Sequence, residues 1–587
     1  MREAIFDAAP RGSVVRPFSS LPGIRRYPLL TKVDPVRHRR MTVHVTNRLI
    51  AFSIWALAIA GILVVGPAAR AVPERTSART VVFIHEQEPP TLRGGWVDNN
   101  LLATGLVTNN IWYGGQIYDD TATLQPRLFE AKPKLVTKSP QTISFKYKAS
   151  AVWSDGKPVT CDDWRATWRV FVNPQFNVVS RAGFEDIKSV TCNGKAGTIV
   201  FARPFAAWES LMSGGAYAAH VIRGKNMNRM FNDSIPVSSG PWKFQSWQHG
   251  VQLTLVKNPR FKVGPAMKLD RVVFRYILDT NARFQLMKAG EGHVMEPQPQ
   301  LQIADIVNDK DFKVQSSPEY AYEHVDIQLG PRGHPALKLP YVRQALVTGI
   351  NRQQLATALF MTIAPGLPKL DNLVFKPFEK AYRPHFKKWA YNSNKVISIL
   401  KSKGCTGGPD APSVSNTAIF SCPGVGRLAF RFSTTSGNQL RTLAFEVIER
   451  QLKSAGIELI PRFQTAGTLF GSTLPSGDWD LIMFTYGGGP DSKITSNTLY
   501  SCGGDQNYGN YCDPKSTTAF NAATKEFDVA KRHALLNQGD AQLAKDLPSI
   551  PLYTRPKFVI STAGLSGPVL NATSEGTPWN VATWQLK

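Results

Sequence analysis

The 587-residue chain predicts an α/β protein whose two lobes flank a cleft. Three observations carry that reading. From Arg427 to Phe463 the order strand, turn, helix, strand makes a β-α-β unit, which demands parallel strands and a right-handed crossover. A further strand, Asp480 to Tyr486, runs into Gly487-Gly488-Gly489-Pro490-Asp491, and in open α/β sheets ligands bind beyond the carboxyl ends of strands, where such loops sit. Finally, the chain is too long for one core, yet it has no solenoid-length repeat and no long low-complexity tract.

Each element has a local cause. Thr80 to His85 (T-V-V-F-I-H) is a β-branched run that reads as a strand, and the following E-Q-E-P-P-T-L is kept extended by proline. Thr142 to Lys148 alternates apolar and polar side chains, as a half-buried strand should. It leads into V-W-S-D-G-K-P-V-T-C-D-D-W (Val152 to Trp164). There Asp155-Gly156 and Lys157-Pro158 are turn chemistry, and Thr160 with Asp163 forms a capping box that opens a helix. In the β-α-β unit, R-L-A-F-R-F from Arg427 is a strand and T-T-S-G a turn. A helix then runs from about Asn438 to Ser454, with Leu440, Leu443, Ala444, Val447, Ile448 and Leu452 on one face. Gly456 stops it, and Ile457 to Phe463 supplies the next strand.

Motifs that are weak singly recur in an informative order. After the Val152 to Trp164 turn come S-S-G-P-W (Ser238 to Trp242), K-N-P-R-F (Lys257 to Phe261) and K-L-D-R-V-V-F-R (Lys268 to Arg275). M-K-A-G-E (Met287 to Glu291) and Y-V-R-Q-A-L-V-T-G-I-N-R-Q-Q-L (Tyr341 to Leu355) follow. In that order they resemble solute-binding protein family 5 of ABC importers, the dipeptide- and oligopeptide-binding proteins, over roughly residues 80–560. The resemblance implies a periplasmic-binding-protein-like fold. Lobe I would be discontinuous (76–115, 225–317 and 553–587) with an appended subdomain at 116–224, and lobe II would span 318–552. It also implies a monomeric receptor rather than an enzyme, holding an oligopeptide without any cofactor and handing it to an ABC permease. Nickel chelates, opines and oligosaccharides, which other members bind, stay open.

Leu49 to Val65 is apolar apart from one serine, follows Arg48, and precedes Ala69-Arg70-Ala71. A basic side, an apolar centre and a small-x-small site make a secretory signal at 41–71 cleaved after Ala71, with an uncleaved anchor as the rival. Residues 1–40 are arginine-rich and aperiodic, which points to a start at Met41. No cysteine sits near Ala71 for a lipid anchor, so the expected place is the periplasm or cell envelope.

The chain carries a formal +26, and removing the 8 net positive charges of the first 71 residues leaves +18. The basic residues are spread rather than clustered, so the reading is a solvated basic surface and no nucleic-acid partner. All six cysteines lie beyond the leader, an even number in an exported chain, which favours disulfides. Fifteen pairings are possible, and the spacings suggest three local ones: Cys161 with Cys192, Cys405 with Cys422, Cys502 with Cys512.

No H-E-x-x-H, G-x-S-x-G, C-x-x-C or G-x-x-x-x-G-K-[ST] occurs, and the ten histidines are scattered, so neither a catalytic nor a metal site is expected. A secreted hydrolase and a wall-associated structural protein remain the rival classes. The expected ligand contacts are Tyr486, Gly487, Gly488, Gly489 and Asp491, with Glu86 and Trp96 from the other side. A carboxylate in a dry crevice forms a charge-assisted hydrogen bond with a peptide amine. By the resemblance, such an aspartate sits three residues after the aromatic. Here that position is Gly489 and the acid comes two residues later, so Asp491 either reaches the amine or merely caps the next turn.

Overall fold

A ten-stranded sheet runs through the described residues, 79–587, of the computed structural model. The expected extension 1–40, the leader 41–71 and the start at Met41 lie outside the described residues. In order the strands are Glu458–Gln464, Ala429–Thr435, Leu481–Tyr486, Phe312–Ile327, Ser549–Thr562, Val294–Met295, Thr80–His85, Arg271–Tyr276, Gln252–Lys257 and Trp242–Gln248.

The local readings carry through. Ala429–Thr435 and Glu458–Gln464 pair in parallel across the helix Gln439–Ser454, whose cap Asn438 accepts the Arg441 N–H at 3.1 Å. That helix buries Leu440, Ala444, Ile448 and Leu452, but Leu443 is 38% exposed. The buried stripe runs through Phe445 and Gln451 instead, which turns Leu443 to its flank. At the head of the helix Cys161–Val172, the Thr160 N–H donates to Asp163 Oδ2 at 2.9 Å, completing the capping box. Asp163 also accepts from Trp153 Nε1 (3.1 Å) and the Ala219 N–H (2.8 Å), so its buried carboxylate organises structure.

The two halves of the sheet join only through Phe312–Ile327 and Ser549–Thr562, which lie antiparallel. Val294–Met295 extends the sheet from one end of this pair, and Leu481–Tyr486 from the other. Midway the ladder fails: Pro318 faces Pro556, and regular pairing resumes only at Tyr322 and Thr554. Proline has no N–H to give, so the backbone bonds that would stiffen the crossing are missing there.

Two large apolar cores flank the crossing, giving the two-lobed α/β fold. One gathers Phe83, Trp242, Phe274 and Trp584, and the other Val342, Leu346, Phe430, Leu452 and Leu552. Beside the first sits a four-stranded antiparallel sheet, Lys134–Lys138, Gln141–Lys146, Ala196–Phe201 and Ile187–Asn193 in spatial order. Three disulfides close short loops: Cys161–Cys192, Cys405–Cys422 and Cys502–Cys512, the pairings the spacing suggests.

Charges are buried where the lobes join. Lys557 Nζ lies 2.9 Å from Glu296 Oε1 and 3.8 Å from Glu319 Oε2, and Arg555 Nε lies 3.5 Å from Glu319 Oε1. Arg441 Nε donates to Glu323 Oε1 at 2.8 Å, and Thr485 is shared by Glu323, Arg441 and Arg555. Burial opposes ionisation, yet Arg441 holds the Glu323 carboxyl below its ordinary range. Glu319 is pushed up by burial, which outweighs Arg555 and Lys557. Removing one member of such a pair strands the other: Arg441→Met should cost about 3–5 kcal/mol, seen as a lower urea midpoint. Arg441→Met with Glu323→Met should recover most of that loss, and an unchanged midpoint for the single variant contradicts the assignment.

Candidate functional site: the cleft between the lobes

The strand Leu481–Tyr486 ends at the cleft, and its glycine loop touches both sides of it. The Gly488 carbonyl accepts the Ser574 N–H at 2.8 Å, tying the loop to the C-terminal segment beside the first core. A Cβ on Gly489 would lie 3.6 Å from the Tyr118 ring and 3.8 Å from Thr573. Both are ordinary van der Waals distances, so the loop packs close to the facing side without needing glycine there.

Asp491 follows the loop and does not cap the turn with its side chain. Its Oδ2 accepts the Tyr118 hydroxyl at 2.5 Å, across the cleft from a residue 373 positions earlier. Tyr118 is pushed well above its ordinary range by burial first, then by Asp491, Glu209 and Glu575. Burial raises Glu209, with Asp491 adding to it and Lys132 opposing. Burial likewise raises Glu575 against Arg127, while Asn109 Nδ2 donates to it at 3.4 Å. This corner is therefore acidic.

On the other side of the loop lies a chamber of about 150 Å³, walled in part by Tyr320, Tyr486, Gly487, Gly489, Lys376 and Lys493. Tyr320 faces both Glu379 and Asp491, whose charges raise its hydroxyl after burial does. Tyr486 stacks on His324 at 4.5 Å, and Tyr322 bonds Tyr500 between hydroxyls at 3.1 Å. The chamber is thus aromatic, with a pair of ammonium groups.

The expected residues do not all converge. Tyr486, Gly487 and Gly489 line the chamber, whereas Gly488 and Asp491 contact the facing side. Glu86 belongs to the charged belt at the junction: it lies 3.5 Å from Arg283 and accepts from Gln298. Trp96 is a correction. It is 1% exposed, donates its indole N–H to Asn228 at 3.0 Å, and packs against Phe171 and Tyr217 in the core, where a large ring removes most apolar area from water. Sequence reasoning missed Tyr118 and Lys376. The only local signal for Lys376 is a lone lysine inside the apolar run L-V-F-K-P-F (Leu373 to Phe378).

The profile of the bacterial extracellular solute-binding proteins, family 5 (middle), matches residues 123–510. The chain belongs to this family. The oligopeptide-binding protein OppA of Mycobacterium tuberculosis (strain ATCC 25618 / H37Rv) is 22% identical to this family 5 protein over 511 residues, 83% of this chain and 84% of the relative. Among solved structures, the periplasmic EDTA-binding protein EppA superposes with a TM-score of 0.76 at 21% identity, covering 86% of this chain and 96% of its own. The oligopeptide-binding protein AppA of Bacillus subtilis, in complex with a nonapeptide, gives 0.75 at 19% identity, covering 86% and 99%. These likenesses show the two-lobed fold.

Tyr118→Phe tests the bond across the cleft. It removes a hydrogen bond to a charged group, worth about 1.5–3 kcal/mol, from the arrangement that sets Tyr118 against Asp491. The radius of gyration of the ligand-free variant, by small-angle scattering, should exceed that of the wild type, and identical curves contradict a closing role.

Proposed function

We propose that this family 5 protein is the extracytoplasmic receptor of an ABC importer, that its solute is an oligopeptide, and that Asp491 pairs with the peptide amine. The carrying observation is the position of Asp491: an aspartate at the cleft, bonded to Tyr118 on the facing side, with Glu209 and Glu575 acting on the same hydroxyl. An arriving ammonium displaces a neutral hydroxyl and meets surplus negative charge, a trade that favours a cation. The names of OppA and AppA support a peptide, whereas EppA marks a chelate as the rival.

The protein works by closure, without altering its solute. The lobes 76–115 with 225–317 and 553–587, and 318–552, turn about the interrupted ladder at Pro318 and Pro556, with the subdomain 116–224 carrying Tyr118 on the first lobe. A ligand favours the closed form only by its difference in affinity for closed and open forms. Peptide backbone recognised by protein backbone, with few side-chain demands, accounts for a loop made of three glycines. Among the described residues no group of three or more His, Cys, Asp or Glu is placed to hold a metal ion, and no helix is long and apolar enough to cross a membrane. A monomer handing its load to a membrane permease completes the reading.

Asp491→Ala should weaken tri-alanine by about tenfold or more, the value of a charge-assisted bond, and leave N-acetyl tri-alanine little changed in isothermal titration. Equal losses remove amine capture. Binding of EDTA but of neither peptide removes the oligopeptide.

A further inference from the structure

The ring of chain closed by Cys502 and Cys512 faces two ways. Tyr500 just before it and Tyr511 inside it are buried in the second core. From the tip of the ring, Asp505 Oδ2 accepts the Arg181 N–H at 2.9 Å and Ser180 Oγ at 3.0 Å, and Gln506 Oε1 accepts Asn100 Nδ2 at 3.5 Å. Ser180 and Arg181 lie between the helix Cys161–Val172 and the strand Ile187–Asn193, beside the first core. The ring thus reaches across the cleft.

Its two halves are held unequally. From Tyr508 onward the ring is pinned to its own lobe: Gln328 Nε2 donates to the Tyr508 carbonyl at 3.0 Å, the Leu329 N–H to that of Gly509 at 2.8 Å, and Asn510 Nδ2 to Gln328 Oε1 at 2.8 Å. The half that carries Asp505 has the Gln506 N–H on the Thr498 carbonyl at 3.0 Å and the Cys502 N–H on Thr517 Oγ1 at 3.0 Å, and the sulfur bridge ties its start to the pinned end. Ordering those residues in advance lowers the entropy that their contact costs. Exposure sets this bridge apart. Cys502 and Cys512 are both exposed, whereas the other two bridges contain buried cysteines, Cys161 in one and both Cys405 and Cys422 in the other. Thiol–disulfide exchange needs access to a sulfur, so exposed bridges are the labile ones. A bridge that only stiffened the second lobe would account for the ring, but not for an acid at its tip bonded to the facing side.

We propose that Cys502–Cys512 is a thiol-exchange site, and that its reduction by a dithiol loosens the hold of the ring on the facing side of the cleft. One thiolate of the dithiol attacks Cys512 Sγ, forming a mixed disulfide as the bond between the two cysteines breaks. Cys502 Sγ leaves as a thiolate, which Thr517 Oγ1, already donating to that sulfur at 3.3 Å, stabilises until water protonates it. The second thiolate of the dithiol then attacks its own sulfur in the mixed disulfide and frees Cys512. The bridge has gained two electrons, and the dithiol has become a disulfide. For a solute receptor, reduction here shortens the time a solute stays bound; the exchange site itself does not depend on that reading.

Partial reduction of the native protein with dithiothreitol, quenched with iodoacetamide and mapped by mass spectrometry, tests the site. Cys502 and Cys512 should be alkylated before the other four cysteines, and alkylation of all three pairs at one rate, or of another pair first, overturns it. Hydrogen exchange of protein reduced at this bridge alone tests the hold. Peptides covering residues 178–182 should exchange about threefold or more faster than in the oxidised protein, as the loss of a hydrogen bond requires, and unchanged exchange overturns the hold. Asp505→Ala should give the same acceleration with the bridge intact, and reduction should then add nothing. A further acceleration of equal size would place the effect of the bridge elsewhere and overturn the hold. Should the reduced chain lose its circular dichroism, Cys502→Ser with Cys512→Ser takes its place with the same outcomes, and unfolding of that variant too makes the bridge a folding staple and overturns the hold.

Discussion

Buried charges are gathered where the two halves of the sheet meet, and the architecture depends on their being matched. Glu296, Glu319 and Glu323 stand against Lys557, Arg555 and Arg441, in a chain that starts beside the first lobe and ends in the helix of the second. Each taken alone would cost several kcal/mol to bury, so any shift of the crossing strands that parted them would be resisted. Apolar side chains of similar volume would often be as stable. An ionic belt has a different use: it is directional, and it fixes which face of each strand points inward at a place where the backbone ladder is broken by Pro318 and Pro556.

Away from that belt, many of the contacts that span the cleft are polar, with Ile494 adding an apolar one. Besides the Tyr118 bond to Asp491, the Arg181 N–H donates to Asp505 at 2.9 Å, Ser180 Oγ to the same oxygen at 3.0 Å, and the Ala206 N–H to the Thr524 carbonyl at 2.6 Å. If the lobes part as proposed, water replaces each of these bonds, so their net worth is modest. Most of each apolar core lies within one lobe, although Ile494 and Phe527 of the second pack into the first. Under the proposed closure, an equilibrium held by such bonds is one that a solute of modest affinity can tip. The charges of the cleft differ between its sides: acids stand around Tyr118, and the Lys376 ammonium lies on the Tyr322 ring.

Much of the secondary structure was legible because its causes are local. The strand Thr80–His85, the capping box at Thr160 and the β-α-β unit each follow from a period or a turn that a few residues contain. The pairing of cysteines was legible from spacing alone. The cleft was legible only in part. Gly487 to Asp491 could be placed at a strand end, but the partner of Asp491 is Tyr118, in a short strand with no distinguishing pattern. Trp96 misled because an aromatic in a polar loop looks like a platform, whereas its fate was decided by Phe171 and Tyr217, which are remote in sequence. Lys376 was invisible for the converse reason: a lysine in a short apolar run reads as a surface residue until the fold closes around it.

If two lobes shut over a solute about the broken ladder, their separation falls on binding. Among the described residues every cysteine is disulfide-bonded, so two introduced cysteines label cleanly. Spin labels on the exposed positions of Lys262→Cys in the first lobe and Lys403→Cys in the second report the separation by pulsed electron resonance. On adding the solute extracted from natively purified protein, the distance distribution should narrow and move to shorter values. A distribution unchanged by a solute that titration shows to be bound would contradict closure.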